Sequence, residues 1–221
     1  MFTFMNTARI GTALQGVAHM ELGYQKALAY AKDRLQMRSV TGPKNPSGPA
    51  DPIIVHPDVR RMLLTQKALS EGGRMMITYT GKLVDVIEHA TDEQDRRAAE
   101  DMMSFMTPVA KAFLTETGFE SANLALQCFG GHGYIKEWGV EQNVRDARIA
   151  TIYEGTTGIQ ALDFTGRKVL GSGGELLRNF TKEIHLFCKE NAQNDALTHF
   201  IPPLIALNQK WADLTLHIGT K

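Results

Sequence analysis

Two short stretches of the sequence hold residue types that could do chemistry. One is Tyr153-Glu154-Gly155-Thr156-Thr157-Gly158, where a carboxylate stands at a chain turn just ahead of a helical pattern. A glutamate placed there can serve as a general base. Thr156 can cap the helix, and the helix's free N–H groups can face an anion. It can equally be an ordinary acidic residue at a positive helix end. The other stretch is 127–133, with Gly130, Gly131 and Gly133 in four positions after Gln127. Adjacent glycines let a second backbone or a ligand phosphate approach closely, and they are also the commonest way to end a helix. Taken singly, neither stretch decides between its two readings.

Other chemistries lack their residues. No Glu has a His three positions later, as a di-iron bundle site requires. Cys128 lies near His132, but no second pair completes a zinc site. The phosphate-loop, zincin, serine-hydrolase and dinucleotide glycine motifs do not occur, and no metal is expected. The 24 Lys and Arg residues match the 24 Asp and Glu residues, which argues against a surface built for nucleic acid. No apolar run approaches the roughly 18 residues of a membrane span. The first residues lack a basic stretch followed by an apolar one, so no secretory signal is read there. Cys128 and Cys188 form no close pair, and a reduced, cytoplasmic protein is the expectation.

The elements that must hold these stretches read as helices. Residues 6–36 contain no proline and carry Ile10, Leu14, Val17, Leu28 and Leu35 at helical multiples. Pro43, Pro46, Pro49 and Pro52 then mark a solvated loop. A second helix starts near Pro57 and Asp58, with Val59, Leu63, Met76, Leu83 and Ile87 as its buried face. A third carries Met102, Met106, Val109 and Phe113; Pro108 is expected to kink it, and it either breaks at Gly118 or continues to about Cys128. Short helical segments are read at 140–147 and from 159 to about 170. Residues 171–174, three of them glycine, read as a linker. Helical stretches at about 175–191 and 196–217 follow. Helices this long pack as bundles.

The two chemical stretches gain meaning together. Gln127-Cys128-Phe129-Gly130-Gly131-His132-Gly133-Tyr134, Arg145-Asp146-Ala147-Arg148 and Ile152-Tyr153-Glu154-Gly155-Thr156-Thr157-Gly158-Ile159-Gln160 occur in that order. The set resembles the carboxy-terminal signature of the acyl-CoA dehydrogenase family. Met5-Asn6-Thr7-Ala8-Arg9-Ile10, the run 30–36 and the run 56–64 resemble that domain's first two helices. The proline loop and Gly158 look most like the larger bacterial branch, which resembles the 3-methylmercaptopropionyl-CoA dehydrogenases. The resemblance covers about residues 1–170. It implies an all-α, up-down four-helix bundle of long antiparallel helices over 1–170, followed by a partial helical carboxy-terminal extension over 171–221.

By the same resemblance Glu154 is the catalytic base, taking the α-proton of an acyl-CoA thioester while the β-hydrogen leaves as hydride to N5 of FAD. Arg34 matches the arginine that reaches the FAD pyrophosphate of a neighbouring subunit. Gln127, Gly130 and Gly131 match the segment against the adenosine half, also across a dimer. Thr156 matches the threonine at the flavin's phosphate region. Asn6 and Arg9 match a pair that holds the CoA end of the substrate. Tyr153 lines the acyl pocket, and Gly155 lets the acyl chain lie close to the backbone. Gly158 replaces a polar residue of many members and inherits no role, and Met37 is not carried over as a flavin neighbour.

The resemblance further implies a homodimer or homotetramer and electron-transfer flavoprotein as acceptor. Family members have an amino-terminal helical domain and a central β domain ahead of the bundle. The chain is therefore expected to be a fragment, inactive on its own. Two alternatives stand beside this: a non-catalytic helical subunit or dimerisation module partnering a separate flavoprotein chain, and an acyl-CoA oxidase.

Overall fold

The computed structural model describes residues 2–219. Three long helices form its frame: α1 (Phe2–Asp33), α2 (Pro57–His89) and α3 (Glu93–Phe129). Pro57 occupies the first helical turn with Asp58 beside it, as the sequence predicts. The Asp92 side chain caps α3 by accepting from the Gln94 N–H at 2.8 Å. The helices run up, down and up. Glu21 of α1 meets Ser70 and Arg74 of α2, while Gln66 of α2 reaches Cys128 near the end of α3. No strand occurs among the described residues, and none of the described helices is long and apolar enough to cross a membrane.

The seam between α1 and α3 is made of small residues. Ala13, Val17, Met20, Ala27 and Ala31 are buried on α1. A Cβ on Gly16 would lie 2.1 Å from the Leu114 carbonyl oxygen, and one on Gly118 would lie 2.8 Å from the Gly16 Cα. Both glycines are there because two helix backbones touch. Gly118 therefore does not break α3. Nor does Pro108, which sits buried inside a continuous helix although it can donate nothing to the Ser104 carbonyl. Of the stripe expected on the first helix, Val17 is buried and Ile10 and Leu28 pack half-buried against the core, whereas Leu14 and Leu35, the latter beyond the end of α1, are exposed, as is Phe113 on α3. Met102, Met106, Leu63 and Leu83 are buried as expected.

After α3 the chain makes two short 3-10 turns, Gly130–Tyr134 and Lys136–Trp138, and then α4 (Val140–Ala150). The turn 151–156 leads into α5 (Thr157–Leu162), which widens into a π-helical stretch, Asp163–Leu170. Residues 171–174, expected to be a loose linker, are a bonded turn: Gly171 N donates to Gly166 O and Gly174 N to Val169 O, both at 2.9 Å. Gly173 and Gly174 take φ of 61° and 79° there, which only glycine adopts cheaply. The turn folds α6 (Glu175–Glu190) and α7 (Ile201–Gly219) back onto α3. Phe105 is buried among the rings of Phe164, Phe180 and Trp211. α7 begins five residues later than expected, because Pro202 and Pro203 fit a first helical turn.

The proline-rich loop between α1 and α2 closes on one carboxylate. Asp51 is fully buried and accepts from the backbone N–H groups of Ser39, Lys44 and Asn45 at 2.7–2.9 Å, and from Arg38. Burial pushes this carboxyl up, but the three N–H donors and Arg38 outweigh it and hold it at about 2. A depressed carboxyl pKa stabilises the fold above the unfolded value, and that contribution fades as pH falls towards 2. We therefore expect Asp51→Asn to flatten the acid limb of the stability-against-pH curve between about pH 4 and pH 2. Urea unfolding followed by circular dichroism across that window reads it.

Candidate functional site

The loop after α1 and the end of α3 enclose a cleft of about 580 Å³. Arg34, Gln127, Gly130 and Gly131 all line it, so the structure brings these four expected residues together. Arg34 and Gln127 are exposed to it. Gly130 has φ 58°, and a Cβ at either Gly130 or Gly131 would meet nothing within 4 Å. The bare backbone of the two glycines, the Arg34 guanidinium and the Asp58 carboxylate therefore face the same space, with the Gly130 N–H already donated to the Gln127 carbonyl. Met37, at φ 60°, lines the cleft too.

One wall of the cleft is aromatic, and the sequence did not announce it. The Tyr30 and Phe129 rings stack at 4.1 Å, and the His132 and Trp138 rings at 5.3 Å. The Tyr30 hydroxyl and His132 Nδ1 share a hydrogen bond of 2.9 Å. These pairs fix the 3-10 turn that carries the glycines. Cys128 lies behind them; burial pushes its thiol up to about 11, so it stays protonated and packs as an apolar group. No cluster of His, Cys, Asp or Glu fit for a metal occurs among the described residues.

Glu154 stands elsewhere. Its turn packs against the middle of α3, where Lys111 Nζ donates to the Gly155 carbonyl at 2.7 Å. Sixteen residues of α3, about 24 Å of helix, separate Lys111 from Gln127. The glycine-lined cleft and the Glu154 turn thus lie well apart along α3. Glu154 has φ 54° and Gly155 φ 91°. Gln160 Nε2 donates to both their carbonyl oxygens, at 3.0 and 3.1 Å. A Cβ on Gly155 would lie 2.7 Å from that nitrogen, so the turn needs its glycine for space as well as for φ. The Glu154 side chain is half-buried.

The remaining expected residues fall around this turn. Tyr153 is partly exposed, and its hydroxyl donates to Gln15 of α1. Thr156 holds the cap position of α5, but its side chain makes no capping bond, so the hydroxyl is not spent on the helix as expected. Asn6 is half-buried and lines a cleft of about 460 Å³ between α1, α2, α3 and the π-helical stretch. Arg9 is buried, and its Nη1 donates to Asp163 at 2.6 Å, tying α1 to the segment after Glu154. Its guanidinium therefore serves the bundle interior, and the partner lies 154 residues away, which no local pattern reveals. Lys111 and Asp163, both buried, are not singled out by their sequence context, and the buried Gln160 is marked only as the end of the glutamate motif, with no role.

The fold is thus a helical bundle with a glycine-lined cleft, faced by Arg34 and Asp58, at one end and a glutamate turn at positive φ on its flank. The chain matches the family described as "Acyl-CoA dehydrogenase, C-terminal domain" over residues 1–168, and it belongs to that family. It is 50% identical over 184 residues to the 3-methylmercaptopropionyl-CoA dehydrogenase of Ruegeria pomeroyi, covering 83% of this chain and 31% of that protein. Its fold is like that of Caenorhabditis elegans ACDH-11 in complex with C11-CoA, with a TM-score of 0.81 and 20% identity over 96% of this chain and 33% of that one. It is also like that of an acyl-CoA dehydrogenase complexed with FAD from Bacillus anthracis, with a TM-score of 0.64 and 21% identity over 85% and 32% of the two chains. The chain thus spans about a third of the length of these relatives.

Proposed function

We propose that the chain forms the carboxy-terminal part of an FAD-dependent acyl-CoA dehydrogenase in which Glu154 removes the α-proton of an acyl-CoA thioester. The observation that carries this reading is the Glu154–Gly155 turn. A half-buried carboxylate stands on two consecutive residues at positive φ, locked by buried donors from α3 and α5. Strain held in place by surrounding structure concentrates at functional sites. An α-C–H beside a thioester is a weak acid, so its base must be close, oriented and sheltered from water.

The residues of the first cleft fit FAD. Arg34 would meet the pyrophosphate, with Gln127, Gly130 and Gly131 against the adenosine half, and Thr156 would lie by the flavin's phosphate region at the other half-site. Bound FAD supplies the hydride acceptor for the β-carbon. Asn6 holds the CoA end of the substrate, Tyr153 lines the acyl pocket, and Gly155 leaves room for the thioester. Arg9 shares in this by fixing, through Asp163, the segment that follows Glu154. The distance between the half-sites supports a two-fold assembly, a homodimer or a dimer of dimers, in which each flavin is held by two copies. Electron-transfer flavoprotein is the acceptor, and the compartment is the cytoplasm.

The test is flavin loading of a complete acyl-CoA dehydrogenase carrying this chain as its carboxy-terminal part. Arg34→Ala removes a charge-assisted bond of about 1.5–3 kcal/mol, so the FAD Kd should rise by roughly 10- to 150-fold. Flavin fluorescence titration measures it. An unchanged Kd contradicts the assignment of the cleft.

A further inference from the structure

Lys111 is a buried cation that the proposed reaction does not consume. It sits at mid-α3 with its side chain fully inside the bundle. An ammonium there loses its water and must be met by polar partners. Burial pulls its pKa down, Glu116 pulls it up, Arg9 pulls it down and Glu154 pulls it up again. The bond it makes is to the carbonyl oxygen of Gly155, the residue next to Glu154.

That carbonyl belongs to a turn that does not hold itself. A side-chain-bearing residue at φ 54° sits above its ordinary backbone state. The strain persists only where neighbours over-determine it. Gln160 grips the turn from α5 through both carbonyls, and Lys111 grips it from α3. Gln160 belongs to the same stretch of chain and moves with it, whereas Lys111 ties the turn to the longest helix of the frame.

We propose that Lys111 is the positioning residue for Glu154: its ammonium anchors the Gly155 carbonyl to α3, holds the left-handed turn and so sets where the carboxylate stands. The proposal rests on Glu154 being the base. Displacing a catalytic group by about 1 Å costs on the order of 10²-fold in rate.

The experiment is Lys111→Met, which keeps the length of the side chain and removes its donors, with Lys111→Gln as the second variant. In a complete dehydrogenase carrying this chain, Lys111→Met should lower kcat about 10²-fold and leave KM within about two-fold. Lys111→Gln, a neutral and shorter donor, should lose less. In the 221-residue chain itself, the backbone NMR shifts of Glu154 and Gly155 should leave left-handed values while those of α1 and α2 stay put. A fall in kcat of under three-fold with unmoved Glu154 shifts overturns the proposal. So does an equal loss in both variants that follows a lower melting temperature, which marks a merely structural lysine. Glu154→Gln run in parallel separates the two levels. If it too retains turnover, the base assignment fails; if it is dead while Lys111→Met is active, only the positioning role fails.

Discussion

Glu154→Gln is expected to lower dehydrogenase turnover by about 10²–10⁴-fold, the range a positioned general base contributes. The substitution keeps the shape of the side chain and takes away its capacity to accept a proton. It should leave the turn intact, because the bonds that hold position 154 run to its backbone: Gln160 donates to the Glu154 carbonyl, and Lys111 donates to the carbonyl that follows. Flavin loading and thermal unfolding should therefore match the parent. Stopped-flow reduction of the flavin by an acyl-CoA, run in a complete enzyme that carries this chain, reads the loss. Turnover within ten-fold of the parent would mean that another group takes the proton.

Phe105→Ala carries the largest expected effect on stability, about 3–5 kcal/mol. Phe105 is 1% exposed and sits with its ring centroid 5.0 Å from Phe164, 5.1 Å from Phe180 and 6.0 Å from Trp211. Those three rings belong to the π-helical stretch, α6 and α7, so one side chain of α3 packs against all three segments. Alanine leaves a cavity that four separate segments would have to collapse into, and helices fixed elsewhere cannot do so fully. Urea unfolding measures the cost, and amide exchange should show α6 and α7 opening first. A cost under about 1 kcal/mol would mean that α6 and α7 are not docked on α3.

Much of the frame is legible in the residues. An unbroken run without proline gives α1, and Pro57 with Asp58 starts α2. What misleads is bulk. On α1 the pattern finds Val17 but also points to Leu14, which is exposed, and it passes over most of the buried seam: Ala13, Gly16, Met20, Ala27 and Ala31. Close backbone packing selects small residues, and a small residue has no strong hydrophobic signature. Gly118 leaves open in the sequence whether α3 breaks or continues, and it marks the point where two helices touch.

The site divides in a similar way. Gln127, Gly130, Gly131 and Glu154 stand out because glycine runs and a carboxylate at a bend are costly unless used. The groups that hold them do not stand out. Lys111 looks like one more polar residue on a long helix, and its burial depends on a turn 44 residues later. Arg9 and Asp163 meet only because α1 and the π-helical stretch fold together. Asp51 reads as a polar loop residue until the chain closes around it. Long-range pairing decides the first three, and a linear pattern contains no distance; Asp51 is decided by how its own loop closes.

The central claim is that Glu154 faces the reacting carbon. A crystal structure of a complete, flavin-loaded enzyme carrying this chain, with a non-reactive acyl-CoA analogue bound, tests it most directly. The expected result is a Glu154 carboxylate oxygen about 3–3.5 Å from the α-carbon, on a turn still held by Lys111. A carboxylate turned inward to pair with Lys111, leaving the α-carbon without a base, would contradict it.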